Sequence, residues 1–440
     1  MTTDTATRVI KNATCTVCGC LCDDIELTVT GERITKAKNA CELGRAWFLD
    51  HQPDGSRPEA VIDGVPATVE RALDEAARLL AAARYPVVYG LSDTTTEAQR
   101  VAVEVADLLG ACLDTTTSAC HGPSGMALQS VGAATCTLGE VKNRADLVIF
   151  WGGNPAESHP RHFTKFSVTA KGMFVPRGRE DRYVVVVNEQ RTPSAGAADL
   201  FLQVRPRKDF ELLWALRALV KGVAIDPQIE AETGVSLETL TALVDRMKRA
   251  RYGIFLFDMG PCTTWESHHD AAAILSLARD LNAHTRFVAM PMGGRGNVSG
   301  ADNVVSWSTG YPFGVNLGRG YPRFNPGEFT AVDLLTRGEA DAALIISADP
   351  AVNFPQAAIE HLKRIPTVVL DSRPSATAPS PRVAFTTAVY GINVPGTVYR
   401  MDDIPIRIRP ALPSRYRSDE DILRAIAERI RARQAETVRA

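Results

Sequence analysis

Ala145-Asp146-Leu147-Val148-Ile149-Phe150-Trp151-Gly152-Gly153-Asn154-Pro155 is a continuous apolar run that ends in a Gly-Asn-Pro turn. A second run, Val184-Val185-Val186-Val187, leads into Asn188-Glu189-Gln190-Arg191-Thr192-Pro193-Ser194. The same grammar returns far downstream. Ala342-Ala343-Leu344-Ile345-Ile346 is followed by Ser347-Ala348-Asp349-Pro350, and Val368-Val369-Leu370 by Asp371-Ser372-Arg373-Pro374-Ser375-Ala376-Thr377. Unbroken apolar runs of this length fit parallel strands covered on both faces. Helical segments such as Phe210 to Lys221 separate them, so two similar α/β units are expected. In parallel sheets ligands bind beyond the carboxyl ends of the strands, the position of Asn188 and Asp371. An amide or carboxylate there can accept hydrogen bonds from a purine or ribose edge, and the Arg, Ser and Thr that follow can meet phosphate oxygens. One copy alone would pass for an ordinary turn, since Asn, Asp and Pro favour turns anyway. Duplication points to a ligand with two nucleotide-like arms, or to two ligands related by pseudo-symmetry.

At 440 residues and 45% apolar content, the chain is too long for one core and rich enough to fill two or three. Lys+Arg 49 against Asp+Glu 51 give a net charge of -2, no electrostatic reason to expect nucleic acid or an anionic membrane as partner. No apolar leader and no apolar run of about 18 residues is present, so a cytoplasmic location without a membrane span is expected. Ser414 to Ala440 should form one amphipathic surface helix.

Of nine cysteines, Cys15, Cys18, Cys20, Cys22 and Cys41 crowd the N-terminus. Such clustering in a large cytoplasmic chain favours metal binding over disulfides. Cys15, Cys18, Cys22 and Cys41 parse as C-x2-C-x3-C-x18-C, the four thiolates an iron-sulfur cubane needs. A four-cysteine zinc site is the main rival. Cys20 is the extra residue, and either it or Cys18 is structural. Alternation in Asp24-Ile25-Glu26-Leu27-Thr28-Val29 sets the cysteines on loops of a small β unit.

A cysteine signature followed by duplicated strand-end loops resembles the molybdopterin oxidoreductases. Thr117-Ser118-Ala119-Cys120-His121-Gly122-Pro123-Ser124, Gly152 to His162, Thr309-Gly310-Tyr311-Pro312-Phe313, Arg319-Gly320-Tyr321-Pro322-Arg323 and Gly396 to Asp402 narrow this resemblance to the B-type component of formylmethanofuran dehydrogenase. The resemblance implies an α/β, molybdopterin-oxidoreductase-like fold: a small β-rich iron-sulfur domain and two pseudo-symmetric α/β domains with mainly parallel sheets. The implied spans are 1–55 for the cluster domain, 56–122 with 250–402 for one pterin domain, 123–249 for an inserted one, and 403–440 for a C-terminal extension. The implied cofactors are a [4Fe-4S] cluster on Cys15, Cys18, Cys22 and Cys41, and a tungsten- or molybdenum-bis(pterin guanine dinucleotide).

By the same resemblance Cys120 ligates the metal, His121 is the adjacent active-site histidine, and Arg295, in Gly294-Arg295-Gly296-Asn297-Val298-Ser299-Gly300, is the arginine beside the metal. Arg45 is expected to bridge cluster and pterin. Gly153, Asn154, Pro155, Asn188, Arg191, Thr192, Asp349, Pro350, Asp371, Arg373 and Ser375 are expected to bind the cofactor. Glu157, His159, Arg161 and His162 have spacing that permits a metal site, but phosphate and pterin contacts are favoured; Trp151 and Trp307 are expected to pack. The implied activity is reversible reduction of carbon dioxide to formate. The implied partners are a D-type subunit carrying the closing pterin domain, an amidohydrolase-like A-type subunit, a C-type subunit and iron-sulfur electron-transfer proteins. The alternative is a redox-inactive assembly component of the formyltransferase/hydrolase complex of methylotrophic bacteria.

Overall fold

Ile25, Leu27 and Val29 are fully buried while Glu26, Thr28 and Thr30 are partly exposed, so the alternating run becomes the strand Ile25–Thr30. It is the middle of an antiparallel three-stranded sheet, flanked by Thr7–Ala13 and Arg33–Lys38. The computed structural model describes residues 6–51, 57–258, 267–372 and 381–439. It divides into two compact units, one from 1–119 with 295–440 and one from 120–294.

In the second unit, among the described residues, five parallel strands run in the order Leu200–Gln203, Tyr183–Asn188, Leu147–Trp151, Tyr252–Phe257, Arg286–Pro291. Every residue of Leu147–Trp151 and of Tyr252–Phe257 is buried, as a strand covered on both faces must be. Asp209–Val220, close to the expected Phe210 to Lys221, packs Leu212, Leu213 and Leu216 into the same core.

In the first unit, among the described residues, a nine-stranded sheet has five parallel strands at its centre: Val383–Thr386, Thr367–Asp371, Ala342–Ile346, Pro86–Gly90, Cys112–Thr115. The repeat seen in the sequence is therefore a repeat of strand order. In both sheets the strand leading to Asn-Pro or Asp-Pro is central, and its successor in the repeat lies beside it on the same side. Short antiparallel strands extend both edges of the larger sheet.

The C-terminal helix is Asp419–Arg439, starting later than the expected Ser414. Ile422, Leu423, Ile426, Ala427 and Ile430 form its buried stripe, which joins the core containing the helices Val69–Ala82 and Thr96–Leu109. The expected domain boundary at 249/250 needs correction as well. Tyr252–Phe257 and Arg286–Pro291 complete the sheet of Leu147–Trp151, so the inserted unit continues to Gly294. Among the described residues no helix is long and apolar enough to cross a membrane.

Candidate functional site

The strand ends of the second unit meet in a close-packed turn. Gly152 has φ +72°, and a Cβ there would lie 2.2 Å from the Asp258 carbonyl oxygen, so only glycine fits. The equivalent position in the repeat, Ser347, is also left-handed at φ 45°, a strained conformation for a residue with a side chain. Past the turn, Asn154 Oδ1 accepts from Ser194 Oγ at 2.7 Å, and Ser194 Oγ accepts from the Ala156 amide at 3.0 Å. The Asn188 side chain donates to the Gly153 carbonyl at 3.4 Å. Pro155 is buried, and the Thr192 hydroxyl is buried without a protein hydrogen-bond partner. Gly153, Asn154, Pro155, Asn188 and Thr192 thus belong to one neighbourhood, at the strand ends where the sequence predicts ligand contacts.

His121 immediately precedes the helix Gly122–Val131, 3.9 Å through Nε2 from Asp258 Oδ1. Its side chain is 13% exposed, and Nδ1 is buried with no hydrogen-bond partner. Burial lowers the histidine below its ordinary pKa, against the opposing pull of Asp258 and of the Met292 backbone; His159 lowers it further. A neutral imidazole with a nitrogen to spare can take up or return a proton. Asp258 is the residue that sequence reasoning missed here. The signal was present, because Asp258 directly follows the apolar run Tyr252–Phe257, just as Asn188 and Asp371 end theirs.

His159 and His162 are both buried. The ring of His159 is buried between Ser158 Oγ and the Gly293 carbonyl, both at 2.8 Å. His162 is fully buried beside Phe150 and Phe166, bonded to Ser167 Oγ at 2.8 Å, and burial drives its pKa down to about 3. It is a packed neutral histidine whose Nε2 is buried without a hydrogen-bond partner, while Glu157 is exposed. Arg191 is exposed, with its guanidinium 5.1 Å from the centre of the Phe201 ring. Trp151 packs as expected, donating from Nε1 to Asp209 at 2.7 Å, but Trp307 is 55% exposed.

In the first unit the cysteine loop is pinned at its base, where the Cys15 amide donates to the Cys22 carbonyl at 2.9 Å. Cys41 caps the helix Glu42–Leu49, its sulfur accepting from the Gly44 amide. Gly44 must be glycine, because a Cβ would stand 2.9 Å from Cys15 Sγ. Burial pushes the Cys15 thiol well up, and Cys18, Cys22 and Cys41 add to this because all three lie near it. Cys20 is buried to 1% exposure and hydrogen-bonded to Cys18. Among the described residues no three such side chains stand in metal-holding geometry; closing them on a metal needs loss of the thiol protons, which binding itself drives. Below the loop, Leu21 packs on Tyr390, Val398 and Ile408, and the Met401 amide donates to Gly19. That accounts for the Gly396 to Asp402 motif, whose Arg400 and Asp402 pair at 2.6 and 2.7 Å.

Arg295 also lies in this unit, its guanidinium 3.1 Å from Asp93. Arg45 is exposed. Asp349 caps Pro350–Asn353 through the Ala351 amide at 3.2 Å, and Asp371 ends its strand. Arg373 and Ser375 lie outside the described residues.

The segment leading to Cys120 hangs from two carboxylates. Asp302 accepts from Thr115 Oγ1 at 2.9 Å and Thr117 Oγ1 at 2.7 Å. Asp114 accepts from Ser118 Oγ at 2.7 Å and from the Gly314 and Ala331 amides at 2.9 and 2.7 Å. Burial raises both from the usual 3.8 to about 7, against the hydrogen bonds that favour the ionised form. A folded-state pKa above the unfolded one stabilises the fold fully below pH 3.8, and the contribution fades as pH rises through about 7. The melting temperature should therefore fall as pH rises from about 3.8 to about 7, and Asp302→Asn should flatten the slope. Equal slopes for wild type and variant in a calorimetric pH series would refute the assignment.

A loop of four neighbouring cysteines on a small β unit, with two parallel-sheet units of one inner strand order, defines a mixed α/β class shared with solved structures. Acetylene hydratase from Pelobacter acetylenicus matches at TM-score 0.69 over 97% of this chain and 70% of that one, with 13% identity. The formyltransferase/hydrolase complex from Methylorubrum extorquens, solved with methylofuran, matches at TM-score 0.71 over 86% of this chain and 99% of that one, with 26% identity. No protein-family model matches the chain. Among sequences, the B-type component of that complex is 29% identical over 345 residues, 77% of this chain and 88% of the relative. The B-type component of the tungsten-containing formylmethanofuran dehydrogenase 2 of Methanocaldococcus jannaschii is 43% identical over 432 residues, 96% of this chain and 99% of the relative. The chain belongs to the family of formylmethanofuran dehydrogenase B-type components.

Proposed function

We propose that this chain is the metal-pterin subunit of a formylmethanofuran dehydrogenase-type complex, interconverting carbon dioxide and formate. The observation that carries the reading is the cysteine loop: the Cys15 amide bonds the Cys22 carbonyl, and Gly44 brings the first turn of the Cys41-capped helix against the Cys15 sulfur. A relative carrying "tungsten-containing" in its name supports it at 43% identity. The residues fit the groups implied. The Thr16 hydroxyl in the cysteine loop is buried and unpartnered, as are Thr192 Oγ1 and His121 Nδ1 at the other unit's strand ends. Polar atoms buried in this way are the ones a bound cluster or cofactor would satisfy.

In this reading Cys15, Cys18, Cys22 and Cys41 hold a [4Fe-4S] cluster, and Cys120 ligates tungsten or molybdenum. Gly153, Asn154, Asn188 and Thr192 in one unit, and Asp349, Pro350 and Asp371 in the other, bind pterin guanine dinucleotide arms. The cofactor supplies a two-electron redox centre when bound. His121 takes up or returns a proton, and Arg295 orients the carboxylate of formate through its planar fork. The D-type, amidohydrolase-like A-type and C-type subunits are the proposed partners, in the cytoplasm, with iron-sulfur proteins carrying electrons.

A second reading is favoured by the fit to the formyltransferase/hydrolase complex: an assembly component without redox chemistry. The assay that separates them uses the intact complex, following formate oxidation with an artificial acceptor and formylmethanofuran hydrolysis independently. Both activities are expected. Hydrolysis without formate oxidation would replace the first reading by the second.

A further inference from the structure

Two segments remote in sequence, one holding Tyr390 and the other Gly296, meet at the Thr16 carbonyl oxygen beside Cys15, and Asp93 joins them through Tyr390 and Arg295. Tyr390, 8% exposed, points its hydroxyl at that oxygen at 3.0 Å and at Asp93 Oδ1 at 3.1 Å, so one proton serves two acceptors. The other oxygen of Asp93 accepts from Arg295 at 3.1 Å. Gly296 is pressed against the same place: a Cβ would stand 2.0 Å from the Thr16 oxygen and 2.5 Å from the Tyr390 hydroxyl. Gly391, at φ +79°, would bring a Cβ within 2.8 Å of the Thr16 side chain.

We propose that Asp93 and Tyr390 are positioning residues that fix the Arg295 guanidinium to the cysteine loop, so that the loop sets the orientation in which Arg295 meets formate. The proposal rests on the redox reading above and deepens it. Arg295 is 50% exposed, and a side chain so free would otherwise spread over many rotamers. The bond to Asp93 occupies one of five guanidinium donors and leaves the rest of the fork for a planar carboxylate. Asp93 in turn is held by Tyr390, whose second contact is the backbone of the cysteine loop. Placement of Arg295 therefore depends on the conformation of residues 15 and 16.

The test uses the purified complex carrying Asp93→Asn, Asp93→Glu or Tyr390→Phe. Steady-state formate oxidation and the paramagnetic resonance spectrum of the reduced cluster are recorded on preparations matched for iron content. Asp93→Asn should raise the KM for formate about tenfold or more, with a much smaller fall in kcat, because an ordering charge-assisted bond is lost. Asp93→Glu should recover most of it. Tyr390→Phe should raise KM severalfold and also shift the cluster spectrum, since its hydroxyl bonds the peptide next to Cys15. An active wild type whose KM is unchanged in Asp93→Asn and Tyr390→Phe, with only melting temperature lowered, overturns the proposal alone. A wild type that does not oxidise formate overturns the redox reading and the proposal together.

Discussion

Cys120→Ser should abolish formate oxidation, by about a thousandfold or more, while the complex should still assemble and still hydrolyse formylmethanofuran. A factor of that size corresponds to about 4 kcal/mol or more of activation free energy. The expectation follows from donor chemistry. A soft thiolate suits a second- or third-row metal, whereas a serine hydroxyl is a hard donor that stays protonated at neutral pH. The fold should tolerate the exchange because serine is close to cysteine in volume. Cys120 also precedes a helix that begins at Gly122, and the turn before it is held by Asp114 and Asp302, neither of which the substitution touches. Full formate oxidation in the variant would remove Cys120 from the chemistry. Loss of both activities would mean that the substitution disturbs assembly instead.

Cys22→Ala should empty the proposed iron site, and Cys20→Ala should leave it filled. Cys22 forms the base of the loop, with its carbonyl receiving the Cys15 amide, and its sulfur belongs to the neighbourhood that raises the Cys15 thiol. Cys20 is also near Cys18, Cys22 and Cys41, but it is 1% exposed and hydrogen-bonded to Cys18, which suits a packing role. A cubane that loses one of four thiolates is expected to lose most of its iron, about four atoms per chain in the wild type. The reverse outcome, iron lost with Cys20 and kept with Cys22, assigns the third ligand to Cys20. Zinc in place of iron in the wild type would remove the electron-relay role altogether.

Four of the parallel strands could be found in the sequence because strands buried on both faces leave continuous apolar runs, and each of those four runs leads to a recognisable Asn, Asp or Gly turn. Asp258 obeys that rule too, yet lacks the proline that marks Asn154 and Asp349. The boundary of the inserted unit was not visible, since Tyr252–Phe257 carries the same apolar signature as Ala342–Ile346 and nothing local tells which sheet a strand joins. Asp93, Tyr390, Asp114 and Asp302 were invisible for a related reason. Their partners lie across hundreds of residues, as in Tyr390 to Thr16 and Asp302 to Thr115, and such pairings appear only once the sheet has brought the loops together. The surroundings of His162 were not legible either, since a histidine among polar neighbours in sequence is packed between phenylalanines in space.

We propose above all that this chain carries a cluster and a metal-pterin site. The most direct test is the quantitation of iron, labile sulfide, tungsten, molybdenum, zinc and released pterin in the complex purified without oxygen. About four iron atoms with matching sulfide per chain are expected, together with pterin and either tungsten or molybdenum. A complex that contains no pterin, tungsten or molybdenum, yet hydrolyses formylmethanofuran at its full rate, would contradict it.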